Sequence, residues 1–232
     1  EALRKLNIKY RIIGGLSFYQ RKEIKDLLGY FRFAVTQQDE EAFKRIINQP
    51  KRGIGDSTVA KMVVAASENN KSVWDVVSNI GHFLDGGRAV GAIENFATII
   101  KSYMLMLEEG KDAHTVALHI AKTSGLLHEL YIDKTVEGMA RHENVQELLN
   151  SIKQFVDNPE NDDVTLGSFL QTVALLTNAD QGDDDDPDKV TMMTIHGAKG
   201  LEFNQVFVVG LEENLFPSQM MIKSREDLEE ER

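Results

Sequence analysis

The stretch Thr194–Phe203 holds the residues with the clearest chemical potential. It reads Thr-Ile-His-Gly-Ala-Lys-Gly-Leu-Glu-Phe and lies between two apolar runs, Val190–Met193 and Val206–Val209, which predict buried strands. A loop with two glycines and a lysine after a strand can present backbone N–H groups to phosphate. Its spacing differs from the phosphate loop G-x-x-x-x-G-K-[ST]. Other elements must therefore hold most of any nucleotide that this loop contacts.

A second candidate surface is the segment from Lys51 to Thr58. Two glycines bracket an isoleucine, two cations precede them, and two hydroxyl residues open the next predicted helix. Free N–H groups, cations and hydroxyls on one small surface suit the phosphate backbone of duplex DNA rather than the reading of bases. A plain turn between two helices with solvated cations fits the residues equally well. The candidate residues are Lys51, Arg52, Gly53, Ile54, Gly55, Ser57 and Thr58.

Hydrophobic periodicity predicts a mostly α chain whose ends contribute strands to a partial α/β sheet. Ile8–Ile13 alternates and is β-branched, so it predicts a strand in the same sheet as Val190–Met193 and Val206–Val209. Between them the apolar residues recur at helical spacing, which predicts an inserted helical domain. Its predicted helices carry their apolar residues within Ile24–Val35, Phe43–Ile47, Val59–Ala66, Trp74–Ile80, Ile93–Leu107, Val145–Phe155 and Leu166–Val173. We place the boundaries at residues 1–13, 14–187 and 188–232. The acidic segment Asn178–Asp188 is interpreted as a mobile linker.

Helix starts can also be predicted. Asp56 or Ser57 is expected to cap the helix that contains Val59 and Met62. The pair Ser72-x-x-Asp75 predicts a capping box. Trp74 lies at helical spacing with Val77 and is therefore predicted to be packed in the core rather than free for stacking on bases.

Composition limits the class of protein. The 232 residues are 42% hydrophobic and 27% charged, as in soluble globular proteins, and the absence of cysteine excludes disulfides and thiolate metal sites. The net charge is −11, but eleven of the 37 acids lie in two runs, 180–188 and 226–231. The 26 acids that remain equal the 26 lysines and arginines. The body of the chain is therefore neutral and has room for a local basic patch. With no apolar run near the length of a membrane span, we expect a cytoplasmic protein without membrane contact.

The chain resembles the UvrD/Rep/PcrA-type superfamily 1 DNA helicases. The segment 194–203 with the following Val206–Glu213 and Phe216-Pro217 is similar to motif V of that family. Tyr10–Gly15 resembles the segment that enters the family's inserted domain, and Arg45–Thr58 resembles the "GIG" stretch of that domain. Three motifs in the family's order make the resemblance specific, and it covers the whole chain.

The resemblance implies residue roles. Residues 1–13 and 188–232 would be pieces of a RecA-like domain, 2A, and residues 14–187 the inserted domain, 2B. Gly200 and Glu202 would contact ATP, near the phosphates and at the ribose respectively. Thr194, His196 and Lys199 would face single-stranded DNA, and the Lys51–Thr58 residues duplex DNA. No metal ligand is expected, and no catalytic set is complete.

The function that follows is a piece of an ATP-dependent 3′→5′ DNA helicase, inactive alone because it lacks a Walker A sequence. ATP and Mg²⁺ would serve the intact enzyme, and neither is expected to bind the piece. Expected partners are a single-strand/duplex DNA junction, RecA-like domain 1A of the same protein, and possible repair or replication proteins. The alternative is a regulatory protein-interaction module of a helicase or of a helicase–nuclease subunit.

Overall fold

The computed structural model describes residues 8–13, 18–84, 87–180 and 188–211, together with Leu3 and Leu6. Within them the chain is mostly helical, as predicted. Short 3₁₀ turns lie at Phe18–Gln20, Ile80–His82 and His196–Ala198. The strands and helices are β1 (Tyr10–Ile13), α1 (Lys22–Val35), α2 (Glu40–Ile46), α3 (Asp56–Glu68), α4 (Val73–Ser78), α5 (Arg88–Glu108), α6 (Ala113–Thr123), α7 (Leu126–Ile132), α8 (Val136–Asp157), α9 (Leu166–Asp180) and β2 (Val190–Met193).

The two strands pair in parallel, although about 180 residues separate them in the sequence. Tyr10 lies opposite Val190, and the register continues to Ile13 opposite Met193. This pairing confirms the prediction that both ends of the chain contribute to one sheet. A parallel pair requires a long crossover connection, and here the helices α1 to α9 supply it.

The predicted third strand, Val206–Val209, is wrong in this structure. These residues have no regular structure, and Val206 and Val209 are 66% and 85% exposed. An apolar strand is stable only when neighbouring strands take its backbone hydrogen bonds and its side chains are covered. Among the described residues no strand pairs with this segment.

Helix α1 lies at the centre of the helical core. It packs against α2, α5, α6, α8 and α9. Its residue Phe33 contacts three aromatic rings, those of Phe43, Phe96 and Trp74, at centroid distances of 5.7, 6.4 and 6.0 Å. The contact with Trp74 confirms that this ring is packed. Because α1 packs against most of the other helices, their buried side chains form one continuous core.

Two helices and one boundary differ from the sequence prediction. Helices α6 and α7 were not predicted, although α6 buries Val116, Ala117 and Ile120 at helical spacing. Helix α9 continues to Asp180, so residues 178–180 of the predicted linker are helical. The rest of that linker up to residue 187 lies outside the described residues, as do Gly14 and Gly15 at the predicted start of the inserted domain.

Helix starts follow the predicted capping pattern in one case and not in another. The Ser72 hydroxyl accepts a hydrogen bond from Asp75 N at 3.1 Å, and the Asp75 carboxylate accepts from Ser72 N at 3.0 Å, which confirms the capping box. The predicted cap of α3 is wrong. Its N-cap is Gly55, Asp56 already belongs to the first turn, and no side chain caps this end.

Replacing Ser72 with alanine is expected to raise the pKa of Asp75. Hydrogen bonds from the Ser72 hydroxyl and backbone hold the pKa of Asp75 below its ordinary value. A lowered carboxyl pKa contributes stability above its unfolded-state value, and this is lost as pH falls through the folded-state value. The variant should lose about 1 kcal/mol of stability and show a smaller acid-dependent loss. An NMR titration of Asp75 tests this, with Asp163, whose pKa Thr165 lowers, as internal control. An unchanged Asp75 pKa would contradict it.

No helix in the described ranges is both long and apolar enough to cross a membrane.

Candidate nucleic-acid interface

The loop between α2 and α3 exposes the backbone at the start of α3. Gly53 has φ +73°, a conformation that favours glycine, and Gly55 is the N-cap. Thr58 N donates to the Gly55 carbonyl at 2.9 Å, but no side chain caps this end at the exposed residues Asp56 and Ser57, and a helix N-terminus carries partial positive charge. The loop can therefore accept an anion from solvent.

The predicted residues of this loop divide into exposed and buried sets. Lys51, Gly53, Gly55 and Ser57 are exposed, and Thr58 is partly buried. Ile54 is only 1% exposed, and its side chain belongs to the core. A role of Ile54 in binding DNA is therefore limited to its backbone.

Arg52, predicted to contact duplex DNA, is turned inwards in this structure. Its Nη1 donates to the carbonyls of Ile46, Ile47 and Pro50 at 3.0, 3.3 and 3.2 Å. Its Nη2 donates to the Tyr30 hydroxyl at 2.5 Å and to the Ser124 carbonyl at 3.1 Å. The guanidinium is thus occupied by the protein itself. Arg52 therefore holds the loop in place in this structure, and its contact with duplex DNA stays a prediction.

Aromatic rings cover the same guanidinium. Its carbon lies 5.9 Å from the ring centroid of Tyr30 and 5.3 Å from that of Phe96. Burial raises the pKa of Tyr30 to about 12, against the lowering effect of Arg52. The Tyr30 hydroxyl stays neutral and donates to the Gln49 carbonyl at 2.6 Å. The Arg52 guanidinium, the Tyr30 hydroxyl and the backbone carbonyls therefore satisfy one another's hydrogen bonds beneath the loop.

The turn between α6 and α7 supports this loop from the side. Gly125 has φ +89°, and a Cβ added there would lie 3.2 Å from Cγ of Pro50. Gln49 Nε2 donates to Glu129 Oε2 at 3.2 Å. Sequence reasoning missed this support because α6 and α7 were not recognised. The Ser-Gly pair at 124–125, after a helical pattern, was the available signal.

The segment 194–203 forms a compact turn directly after β2. The Thr194 hydroxyl accepts from Gly197 N at 3.0 Å, and its carbonyl accepts from Ala198 N at 3.0 Å. His196 begins the 3₁₀ turn. The predicted single-strand residues Thr194, His196 and Lys199 are therefore brought into one turn.

The predicted nucleotide residues follow that turn. Gly200 has φ +80°, and a Cβ added there would meet no atom within 4 Å. Lys199 and Glu202 are exposed. A backbone free of side-chain cover beside an exposed carboxylate fits a nucleotide's phosphate and ribose. No hydrogen bond between described residues joins this segment to the Lys51–Thr58 loop. Among the described residues no group of three His, Cys, Asp or Glu side chains could hold a metal ion.

Comparison with known proteins gives a consistent result. The family model for the UvrD-like helicase C-terminal domain matches residues 1–232. DNA helicase II of Salmonella typhimurium is 39% identical over 236 residues, and that of Escherichia coli K12 is 38% identical. The ATP-dependent DNA helicase PcrA of Staphylococcus aureus is 36% identical over 234 residues. Each match covers 100% of this chain and 32% of the relative. The chain therefore spans about a third of the length of these curated relatives.

Proposed function

The chain belongs to the UvrD-like helicase C-terminal domain family, and on that premise we propose that it is part of an ATP-dependent 3′→5′ DNA helicase. In this proposal the helical residues between β1 and β2 contact duplex DNA. The turn after β2 contributes one wall of an ATP site and contacts single-stranded DNA. The relatives' names, DNA helicase II and ATP-dependent DNA helicase, support this assignment.

The observation that carries the proposal is the uncapped, exposed loop before α3. Exposed backbone N–H groups, the Lys51 ammonium and the Ser57 hydroxyl are the groups that bind phosphates irrespective of base sequence. Arg52 fixes the backbone from within, so little conformational freedom is lost when a duplex binds. A helicase must hold many sequences alike, and this chemistry meets that requirement.

For ATP, the residues that fit are Gly200 and Glu202. The backbone at Gly200 would approach the phosphates, and the Glu202 carboxylate would accept hydrogen bonds from the ribose hydroxyls. Thr194, His196 and Lys199 would lie towards the single strand. The sequence contains no phosphate loop of the form G-x-x-x-x-G-K-[ST]. We therefore assign Mg²⁺ binding and the attack on ATP to residues of the enzyme outside these 232.

Replacing Lys51 with alanine in the full-length protein is expected to weaken binding to a tailed duplex. Loss of one phosphate contact should reduce the slope of log K against log salt by about one and affect all duplex sequences equally. Fluorescence anisotropy with a tailed duplex at several salt concentrations measures both quantities. Binding to single-stranded DNA should change little.

Lys153→Ala is the matched control, because Lys153 is also exposed but lies on α8. If Lys51→Ala and Lys153→Ala give the same slope and affinity as the unmodified protein, the loop is not a duplex contact. A Lys153 effect equal to that of Lys51 would instead indicate general charge attraction.

A further inference from the structure

An exposed apolar patch lies where α7 meets α8. It consists of Tyr131, Ile132, Val136 and Met139, which are 63%, 60%, 53% and 49% exposed. Four large apolar side chains close together at one helix–helix corner, all about half exposed or more, differ from singly scattered surface residues, which need no explanation. We call this surface the α7–α8 patch.

Local hydrogen bonds and close packing hold the backbone beneath the patch in place. The Asp133 carboxylate accepts from Thr135 N at 3.1 Å and from the Thr135 hydroxyl at 2.6 Å. The Thr135 hydroxyl in turn accepts from Gly138 N at 3.0 Å and caps α8. A Cβ added at Gly138 would lie 2.5 Å from the Asp133 carbonyl oxygen, so the corner is closely packed. A partner would meet a preformed surface.

The two cations beside the patch already have partners, whereas two acids farther along α8 form no ion pair among the described residues. Lys134 Nζ lies 3.8 Å from the centroid of the Tyr131 ring, and Arg141 pairs with Glu137. Glu143 and Glu147 continue the exposed face of α8, four and eight residues after Met139, so they follow it along one side of the helix. Neither forms an ion pair with a residue in the described ranges. The α7–α8 patch is therefore apolar, and the exposed face of α8 that continues from it is acidic.

This charge pattern selects among possible occupants. DNA is disfavoured, because its phosphates would face Glu143 and Glu147. A second copy in a two-fold dimer is disfavoured too, because the cations that this surface would offer its copy, Lys134 and Arg141, already contact Tyr131 and Glu137 and leave none for Glu143 and Glu147. A segment with apolar side chains and flanking lysines or arginines complements both the apolar patch and the acidic residues Glu143 and Glu147.

We propose that the α7–α8 patch docks another protein through an amphipathic helix whose apolar face is followed by basic residues. The apolar side chains of that helix cover Ile132, Val136 and Met139, and its cations pair with Glu143 and Glu147. This site is separate from the DNA and ATP roles proposed above. It gives the helical domain a protein partner of defined chemistry.

The test uses the full-length protein and two synthetic helical peptides as probes. Both share one apolar face, and one carries lysines and arginines after it where the other carries glutamates. Fluorescence anisotropy should show saturable binding of the basic peptide, at least tenfold tighter than that of the acidic peptide. Met139→Asp should weaken binding of the basic peptide at least tenfold. The double variant Glu143→Lys with Glu147→Lys should bind the acidic peptide more tightly than the basic one.

Val64→Asp is the control, since Val64 is 53% exposed but lies on α3. It should leave peptide binding unchanged, and thermal unfolding of each variant verifies folding. Equal affinity for the two peptides, or no effect of Met139→Asp, overturns the proposal. If the protein self-associates and Met139→Asp abolishes this, the occupant is a second copy of the chain and the proposal is wrong. If Met139→Asp abolishes binding to the tailed duplex, the occupant is DNA and the proposal is also wrong. The peptide test is independent of the proposed duplex contact: if Lys51→Ala leaves duplex binding unchanged, the peptide result still stands.

Discussion

Replacing Arg52 with methionine is expected to lower the free energy of unfolding by about 3 kcal/mol or more. Methionine keeps much of the stem's packing between Tyr30 and Phe96 but removes every donor. The carbonyls of Ile46, Ile47, Pro50 and Ser124 then lose a charged partner. Removing one side of a partly buried hydrogen-bonded set costs more than the set contributes in net terms, because the remaining groups stay partly desolvated.

The effect should extend to the loop that Arg52 supports. Its guanidinium joins α1, the end of α2 and the α6–α7 turn through Tyr30, Ile46 and Ser124. Without it, the backbone before α3 is no longer fixed. Duplex binding should therefore fall even though Arg52 does not contact the phosphate, and the salt slope should stay near that of the unmodified protein.

Urea denaturation of Arg52→Met and Arg52→Lys, beside Arg88→Met, measures the stability effect. Arg88 is exposed at the start of α5, so its replacement should change stability by less than about 0.5 kcal/mol. Lysine at position 52 should recover only part of the loss, because a single ammonium cannot reach both groups of carbonyls. If Arg52→Met unfolds like Arg88→Met but binds duplex with a reduced salt slope, the phosphate role is restored.

The inward position of Arg52 could not be predicted from the sequence. A cation before a Gly-Ile-Gly loop predicts a phosphate ligand, and for the exposed Lys51 this stays a prediction. The carbonyls that engage Arg52 come from a helix end, the loop and a turn 72 residues away, at Ser124. Periodicity reports which face of a helix is buried but not which distant carbonyls meet one side chain.

The predicted helices were mostly right because one apolar face of each supplies a strong periodic signal. Helix α6 was missed although its spacing was present, since Ala113, Ala117 and Ala121 contribute small side chains to its buried face. Helix α7 has only seven residues and one buried residue, Leu126, which is too short for periodicity to decide.

The strands depend on context that local sequence does not contain. Tyr10–Ile13 pairs with Val190–Met193, whereas Val206–Val209 is equally apolar and pairs with no described strand. The predicted burial of Val190–Met193 is wrong in this structure, since Val190 and Met192 are 44% and 36% exposed. A strand's stability comes from its neighbours, so the same pattern gives a strand in one place and an irregular segment in another. The turn at 194–203 could be predicted from its own residues, because Thr194 and two glycines determine it locally.

Replacing Glu202 with alanine in the full-length protein is expected to weaken ATP binding by about 10–100-fold. The estimate follows from the loss of hydrogen bonds between ribose hydroxyls and a charged carboxylate, about 1.5–3 kcal/mol. Glu202 is exposed, so its removal should not affect folding. The apparent affinity for ATP, from ATPase rates at saturating single-stranded DNA, is the measurement. The maximal rate should fall less than the affinity, because the attack on phosphate uses other residues.

Two comparisons make the Glu202 result specific. A nucleotide that lacks the ribose 2′-hydroxyl should bind Glu202→Ala almost as well as ATP does, whereas the unmodified protein should distinguish the two. Glu160→Ala, at an exposed acid between α8 and α9, controls for loss of negative charge and should leave ATP affinity unchanged. If Glu202→Ala keeps its ATP affinity and its discrimination at the ribose, the carboxylate does not contact the nucleotide. The turn after β2 would then act on the DNA side alone, through Thr194 and Lys199.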